Sequence, residues 1–156
     1  VEPPAACGEV AALLPGIAAV PQPAGTLGER MSGVMRGLFE QGARAVALIG
    51  SDIPDLEPRV LAEAFAALER DPDTVVLGPS ADGGYYLIAA TRVPPLFDGI
   101  DWGTNQVLPR TLARAAAQGL RVHLLDVAAD VDTPADLRGV RARRTRAWAT
   151  SHARAN

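Results

Sequence analysis

Residues 44–52 read RAVALIGSD, and this stretch decides the fold. Its apolar run is too short for a helix and lacks polar alternation, a pattern typical of a strand that is covered on both faces. The run ends at Gly50, and Ser51 and Asp52 follow at once. The stretch therefore predicts a buried strand with polar residues at its carboxyl end.

Helical patterns lie on both sides of this strand. Apolar residues within 29–41 recur every three or four positions, and Gly42 ends that pattern. A second helix is predicted from Pro58, since the first helical turn tolerates proline, and a third after Thr104, which can cap it. A last helix is predicted to begin at Thr133. The predicted buried sides of the second and third helices are Val60, Leu61, Ala64, Phe65, Leu68, Val107, Leu108, Leu112, Ala115 and Ala116.

Short apolar runs predict further strands at 17–20, 74–77, 85–90 and 120–125. Strands that alternate with helices indicate an α/β fold in which helices cover both faces of a mainly parallel sheet. The sequence therefore predicts a three-layer α/β architecture. We expect a single domain over residues 1–146, because a chain of 156 residues buries one core, and a frayed tail over 147–156.

Composition excludes several classes of function. A formal net charge of -3 gives no long-range attraction for nucleic acid. All 15 basic residues are Arg, which excludes chemistry that needs a Lys amine within this chain. Cys7 is the one cysteine, so an internal disulfide is excluded and a reducing cytoplasm is expected. No apolar run approaches the roughly 20 residues of a membrane helix, so we expect no membrane partner.

Acidic residues follow two of the predicted strands. Ligands of open parallel α/β sheets bind at the carboxyl ends of the strands, which makes these loops the candidate site. Asp52 can hold Mg²⁺ or Mn²⁺ together with substrate phosphates, or it can be a turn residue that bonds its own backbone. Asp130 and Asp132 precede the last predicted helix, whose dipole favours acids whatever their function. Metal binding and a structural role are both open for these acids.

A third polar loop, residues 80–86, reads SADGGYY. Gly83 and Gly84 permit close approach of the backbone to a ligand, and Tyr85 could flank a sugar or a base. Asp82 lies between two strand ends, where it could activate an acceptor hydroxyl, and it is our candidate catalytic residue. The same residue types also form ordinary turns and strands, so spacing alone does not decide between these roles.

Six short segments carry a family resemblance: LGERM at 27–31, IGSDIP at 49–54, LGP at 77–79, DGGYYLI at 82–88, WGT at 102–104 and DVDTP at 130–134. In this order they resemble the motifs of a bacterial family of GT-A-type glycosyltransferase-like proteins, some of which are assigned to arsenosugar biosynthesis. The resemblance places this family within the wider superfamily of nucleotide-diphospho-sugar transferases, which also includes guanylyl- and cytidylyltransferases. The resemblance implies the GT-A fold and transfer of a sugar from a nucleotide sugar to a small-molecule acceptor.

The resemblance also implies roles for individual residues. Asp52 and Asp132 would share one Mg²⁺ or Mn²⁺ ion as the cofactor. The residues that it implies near the nucleotide base are Gln22, Leu27 and Gly28, and those on the sugar or acceptor side are Gly83, Gly84, Tyr85 and Trp102.

Members of this family begin with a strand and a loop, bearing glycine and Lys or Arg, that holds the nucleotide phosphates, and no segment here resembles that loop. Residues 1–4 resemble the segment after the family's second strand. We therefore expect that the first strand–helix–strand unit, about 30 residues or more, is missing. The chain alone would then be unstable or inactive unless the unit is restored or a homodimer fills the gap. Reversible, cooperative unfolding of a monomer would contradict this expectation.

Two other functions stay open. A nucleotidyltransferase of the same fold would join an NTP to a phosphorylated small molecule and release pyrophosphate, whereas sugar transfer releases a nucleoside diphosphate. An inactive fragment or an interaction module would show no metal-dependent nucleotide binding.

Overall fold

The structure is a computed structural model that describes residues 1, 3–53, 56–128 and 138. The described residues form one short 3-10 helix, four α-helices and four strands. In chain order they are the 3-10 helix Pro4–Ala6, α1 Cys7–Leu13, α2 Leu27–Glu40, β1 Val46–Ile49, α3 Pro58–Arg70, β2 Thr74–Pro79, β3 Tyr85–Ala90, α4 Val107–Ala117 and β4 Arg121–Leu124.

The strands form one sheet in the order β1-β3-β2-β4. Strand β3 is antiparallel to both of its neighbours, whereas β2 and β4 are parallel. Strands β1, β2 and β4 therefore point the same way, and β3 is reversed between them. The reversal follows from the connection: only residues 80–84 join β2 to β3, whereas a parallel return needs a crossover of a dozen residues or more.

Helices cover both faces of this sheet. In β2, Val75 and Leu77 point to a core that includes residues of α2 and α4, while Val76 points to a core that includes residues of α3. Alternate residues of the strand are thus buried on opposite faces, as the pleat requires. The predicted three-layer α/β fold is confirmed.

Helix α2 begins two residues earlier than its apolar pattern suggested, because a capping box fixes its start. The Thr26 hydroxyl accepts a hydrogen bond from the Glu29 backbone N–H, and the Glu29 carboxylate accepts one from the Thr26 N–H at 2.7 Å. Two otherwise unpaired backbone donors are satisfied in this way. The cap fixes the direction in which residues 22–26 enter the helix, and these residues border the candidate site.

Some sequence-based predictions were wrong. The strand predicted at 17–20 is absent, and Ile17 and Val20 are 62% and 61% exposed. Phe65 and Ala116 were predicted on buried helix faces but are exposed, whereas Thr111 is fully buried in α4. The helix predicted from residue 133 and the tail at 147–156 lie outside the described residues. No helix in the described part of the chain is long and apolar enough to cross a bilayer.

Candidate functional site

Two clefts open beside the carboxyl ends of β1 and β2. The first, which we name the apolar cleft, has a volume of about 290 Å³. Helix α2 forms one wall, and β1 and β3 form the other. Its apolar walls are lined by Leu27, Met31, Val34, Leu48, Ile49, Leu87 and Ile88, and its polar side chains include Gln22 and Arg30.

The second cleft, which we name the acidic cleft, has a volume of about 260 Å³. Asp52 and Asp82 both line it, together with Gly84, Tyr85 and Trp102. No Arg or His is found among the described residues that line it. Asp52 and Asp82 come together here because they follow β1 and β2, which run in the same direction.

The two clefts are continuous. Five residues line both of them: Leu27, Met31, Gly50, Tyr85 and Tyr86. Each cleft alone is slightly smaller than the roughly 300 Å³ at which small-molecule sites usually begin. Their shared wall makes them one elongated site with an apolar end and an acidic end.

Asp52 lines the acidic cleft beside Gly50, which lines both clefts. Its Oδ1 atom is held so close above Gly50 that a β-carbon on residue 50 would come within 2.5 Å of it. A side chain at residue 50 would therefore displace this carboxylate, which is the far end of an exposed side chain. The Gly50 N–H donates to the Tyr86 carbonyl at 2.8 Å, which ties the end of β1 to β3. The sequence singled out Asp52, but the supporting role of Gly50 becomes visible only in the structure.

Asp82 is fixed by the turn between β2 and β3. Its Oδ1 atom accepts the Gly84 backbone N–H at 2.9 Å, and the Gly83 N–H donates to the Ser80 carbonyl. An ordinary turn was the structural alternative for residues 80–86, and this Asx-type bond belongs to such a turn. It occupies Oδ1, and the carboxylate remains exposed in the cleft.

Tyr85 and Trp102 form an aromatic wall of the acidic cleft. Their rings meet edge to face, with centroids 6.2 Å apart. Burial raises the pKa of the Tyr85 hydroxyl well above its usual range. The Tyr85 hydroxyl has no partner in hydrogen-bonding geometry among the described residues. The Thr111 side chain lies close enough to oppose the rise in this pKa. The Thr111 hydroxyl itself donates to the Val107 carbonyl.

Two predicted site glycines line neither cleft. Gly28 is buried, and a β-carbon there would lie 2.6 Å from the Phe97 carbonyl oxygen and 2.9 Å from the Trp102 indole nitrogen. Gly83 has a φ of 93° and packs against the Asn105 backbone. Gly28 therefore lets α2 approach Trp102, and Gly83 allows the turn. Neither is placed to contact a ligand in these clefts.

Asp132 lies outside the described residues. The described part of the chain that precedes it approaches the acidic cleft: the Ala128 N–H donates to the Pro79 carbonyl, and the Ala81 N–H donates to the Ala128 carbonyl. Within the described ranges, no group of three or more His, Cys, Asp or Glu side chains forms a metal site.

Arg30 was not predicted as a site residue, although it belongs to the LGERM segment. Its Nε donates to the Gly25 carbonyl at 2.7 Å, and its Nη1 donates to Gln22 Oε1 at 3.3 Å. These bonds connect the first turn of α2 to the loop that precedes it. Arg30 is the basic residue among the described residues lining the apolar cleft.

The fold and clefts define a class of protein. A crystal structure from Desulfovibrio desulfuricans G20, provisionally assigned as a nucleotide-diphospho-sugar transferase, matches with a TM-score of 0.74 and 36% identity. The match covers 81% of this chain and 55% of the solved chain. The chain therefore has the fold of the nucleotide-diphospho-sugar transferase superfamily, as the sequence resemblance implied.

Residues 2–104 match the bacterial family described as uncharacterized protein conserved in bacteria (DUF2064), and the chain belongs to this family. It is also 38% identical over 104 residues to the phosphoenolpyruvate guanylyltransferase of Geodermatophilus obscurus, a match that covers 66% of this chain and 45% of the relative. The chain thus spans about half the length of both relatives. Both relatives bear transferase names.

Proposed function

We propose that this protein transfers a sugar from a nucleotide-sugar donor to a small-molecule acceptor. The observation that carries the proposal is the pair of adjoining clefts, with Asp52 in the acidic cleft beside Gly50, which lines both. The nucleotide base occupies the apolar cleft beside Gln22 and Leu27. The sugar and the acceptor occupy the acidic cleft beside Tyr85 and Trp102, whose rings offer apolar faces to a sugar.

The residues present fit a divalent cation. A diphosphate at the junction would face the carboxylates of Asp52 and Asp82, with no basic side chain among the described residues of the acidic cleft. Mg²⁺ or Mn²⁺ is bound by carboxylate and phosphate oxygens, and when bound it offsets this repulsion and stabilises the charge on the leaving phosphate. Asp132 is proposed as the second ligand, since only three residues lie between it and Ala128 beside the cleft, a span of at most about 14 Å of chain.

Asp82 is proposed as the general base. Its carboxylate takes the proton of the acceptor hydroxyl while the acceptor oxygen bonds to the sugar carbon and the bond from sugar to phosphate breaks, which releases a nucleoside diphosphate. The Gly84 N–H holds the carboxylate in one orientation for this step. Asp82→Asn should lower kcat by about 100-fold or more, with donor affinity changed less than about threefold.

A nucleotidyltransferase is the second candidate, and the name of the guanylyltransferase relative favours it. The acidic cleft favours it less, because one bound cation would have to offset the repulsion of its two carboxylates for a phosphorylated acceptor as well as for the donor phosphates. A neutral acceptor hydroxyl fits these surroundings better. Sugar transfer therefore remains the proposal that the geometry supports best.

The products distinguish the two reactions. The protein is incubated with Mn²⁺ and either a nucleotide sugar or an NTP, together with a panel of neutral and phosphorylated acceptors. Sugar transfer is supported if a nucleotide sugar yields a nucleoside diphosphate and a glycosylated neutral acceptor. Pyrophosphate released only from an NTP with a phosphorylated acceptor would replace it by the second candidate.

A thermal-shift titration tests the site independently of turnover. Nucleotide sugars should raise the Tm with Mn²⁺ but not with EDTA, and Asp52→Asn should weaken donor binding at least about tenfold. Asp98→Asn is the matched control, because Asp98 is exposed and lines neither cleft. If a folded protein shows no metal-dependent shift with any nucleotide, a non-catalytic role takes the place of both reactions.

A further inference from the structure

One hydroxyl group of the acidic cleft has no role in the site described so far. Ser80 follows directly after β2 and lines this cleft, yet the residue is only 9% exposed. Asp82, on the same turn, lines the cleft as well but is exposed. The acidic cleft therefore has a buried end at Ser80 and an open end at Asp82.

The Ser80 side chain is available to a ligand, although the Ser80 backbone is not. The Ser80 N–H donates to the Gly84 carbonyl at 3.1 Å, and the Ser80 carbonyl accepts from the Gly83 N–H at 3.3 Å. The Oγ atom of Ser80 has no hydrogen-bond partner among the described residues. Unlike the unpaired Tyr85 hydroxyl, it is not sealed from the cleft. Because buried polar groups are nearly always hydrogen-bonded, this hydroxyl calls for a partner that enters the cleft.

The other polar side chains of the acidic cleft indicate which chemical group fits beside Ser80. Asp52 and Asp82 only accept hydrogen bonds when they are ionised, and the hydroxyls of Thr104 and Tyr86 already donate to backbone carbonyls. A ligand hydroxyl can donate to a carboxylate while it accepts from Ser80, which satisfies both of its hydrogen-bonding functions. A phosphate would accept from Ser80 as well, but the two carboxylates repel it. A neutral hydroxyl group is therefore the better partner.

We infer that Ser80 donates a hydrogen bond to a hydroxyl group of the donor's sugar and is a residue that determines which sugar the site accepts. The inference rests on the proposed function, because it takes the ligand of the acidic cleft to be a nucleotide sugar. The acceptor approaches from the side of Asp82, the proposed base, which is exposed. The sugar that it attacks then lies on the buried side of the cleft, beside Ser80.

Calorimetric titration in Mn²⁺ tests the contact from the protein side. The probes are UDP-glucose, GDP-mannose and ADP-glucose, each beside its nucleoside diphosphate, and the pair that binds most tightly is used. Ser80→Ala should weaken the nucleotide sugar by about threefold to tenfold, the effect of one neutral hydrogen bond, and the nucleoside diphosphate by less than about twofold. Ser32→Ala is the matched control, because the Ser32 hydroxyl donates to the Glu29 carbonyl and Ser32 lines neither cleft. It should leave the ratio of the two affinities unchanged.

Deoxy analogues of the same nucleotide sugar test the contact from the ligand side. In the wild type, replacing the sugar hydroxyl that faces Ser80 by hydrogen should weaken binding by about threefold or more, because the Ser80 hydroxyl is left unpaired. In Ser80→Ala the same replacement should change the affinity by less than about twofold, because the partner is already absent. Deoxy analogues at other positions should lose the same affinity in both proteins. The wild-type series tests the contact even if the variant is poorly folded.

The pattern of affinities separates this inference from the proposed function. A purely structural effect of Ser80 would weaken the nucleotide sugar and the nucleoside diphosphate alike, and that result overturns the inference alone. Equal affinity of the wild type for the two probes, or no deoxy analogue that loses its effect in Ser80→Ala, overturns it as well. An unchanged donor affinity with a raised KM for the acceptor would move the Ser80 contact to the acceptor. If no nucleotide or nucleotide sugar binds with or without Mn²⁺, the proposed function fails and the inference falls with it.

Discussion

Replacing Tyr85 by Phe is expected to make the protein more stable. The Tyr85 hydroxyl is buried without a partner in hydrogen-bonding geometry among the described residues, while the ring packs against Trp102. A buried polar group without a partner costs free energy, because folding removes it from water and gives nothing in return. Phe keeps the ring and removes that cost.

The expected gain follows from two opposing effects. An unsatisfied buried hydroxyl costs about 1–3 kcal/mol, and the nearby Thr111 hydroxyl places Tyr85 at the lower end of that range. The void left by one oxygen atom costs less than about 1 kcal/mol. We therefore expect the free energy of unfolding to rise by about 0.5 kcal/mol and the Tm by about 1–2 °C.

The neighbouring tyrosine provides the matched control. The Tyr86 hydroxyl donates to the Asp126 carbonyl at 3.1 Å, so Tyr86→Phe removes a bond that is actually made. Its free energy of unfolding should fall by about 0.5–1.5 kcal/mol. Urea unfolding of the two variants beside the wild type, followed by circular dichroism, compares the same chemical change in adjacent residues.

The opposite signs are the test. If Tyr85→Phe lowers the unfolding midpoint as Tyr86→Phe does, the Tyr85 hydroxyl has a partner and the reasoning from its burial is refuted. Equal m-values for the three proteins are needed, because a changed slope would show that the variants unfold from or to a different state.

Three further predictions concern stability. Gly78→Ala should lower the free energy of unfolding by about 1–3 kcal/mol in urea, because a β-carbon there would lie 2.5 Å from the Tyr86 ring. Thr26→Ala removes the capping box of α2 and should cost about 1 kcal/mol in the same assay. Hydrogen bonds from Arg121 and, to a smaller extent, Thr74 hold the pKa of Asp71 below its usual value. The stability that these bonds contribute is therefore present above the unfolded pKa of Asp71, near 4, and is lost as the pH falls through its folded pKa. Asp71→Asn should therefore flatten the fall of Tm between about pH 5 and pH 2.

The positions of the strands could be predicted, because a local apolar run marks each of them, but the burial of β1 on both faces was predicted wrongly: Val46 is buried, whereas Ile49 at its end is 49% exposed. The apolar run that ends at Ile49 has no polar face, and β1 forms there. Asp52 and Asp82 meet in one cleft because they follow strands that run in the same direction. Apolar content alone was insufficient for residues 17–20, which lack a neighbouring strand in the described sheet and are exposed.

Contacts between distant residues could not be predicted from these patterns. Gly50 looked like a strand end, but its missing side chain makes room for Asp52. Gly28 looked like part of a ligand loop, yet the Phe97 backbone and the Trp102 ring occupy the space beside it. Such distinctions depend on which segments pack together, and neither periodicity nor turn chemistry reports that.

The order of polar groups along the two clefts favours a nucleotide donor, which has both a base and phosphates. Arg30 and Gln22 lie at the apolar end, where a base can leave water and still meet a hydrogen-bond donor. Asp52 and Asp82 both lie in the acidic cleft, Asp52 beside the shared Gly50, and the described residues of this cleft include no cationic side chain. An anion placed at the junction without a cation would be repelled, so phosphate binding and metal binding should depend on each other there. A nucleoside without phosphates avoids this repulsion, and its binding at the apolar end should be independent of the metal.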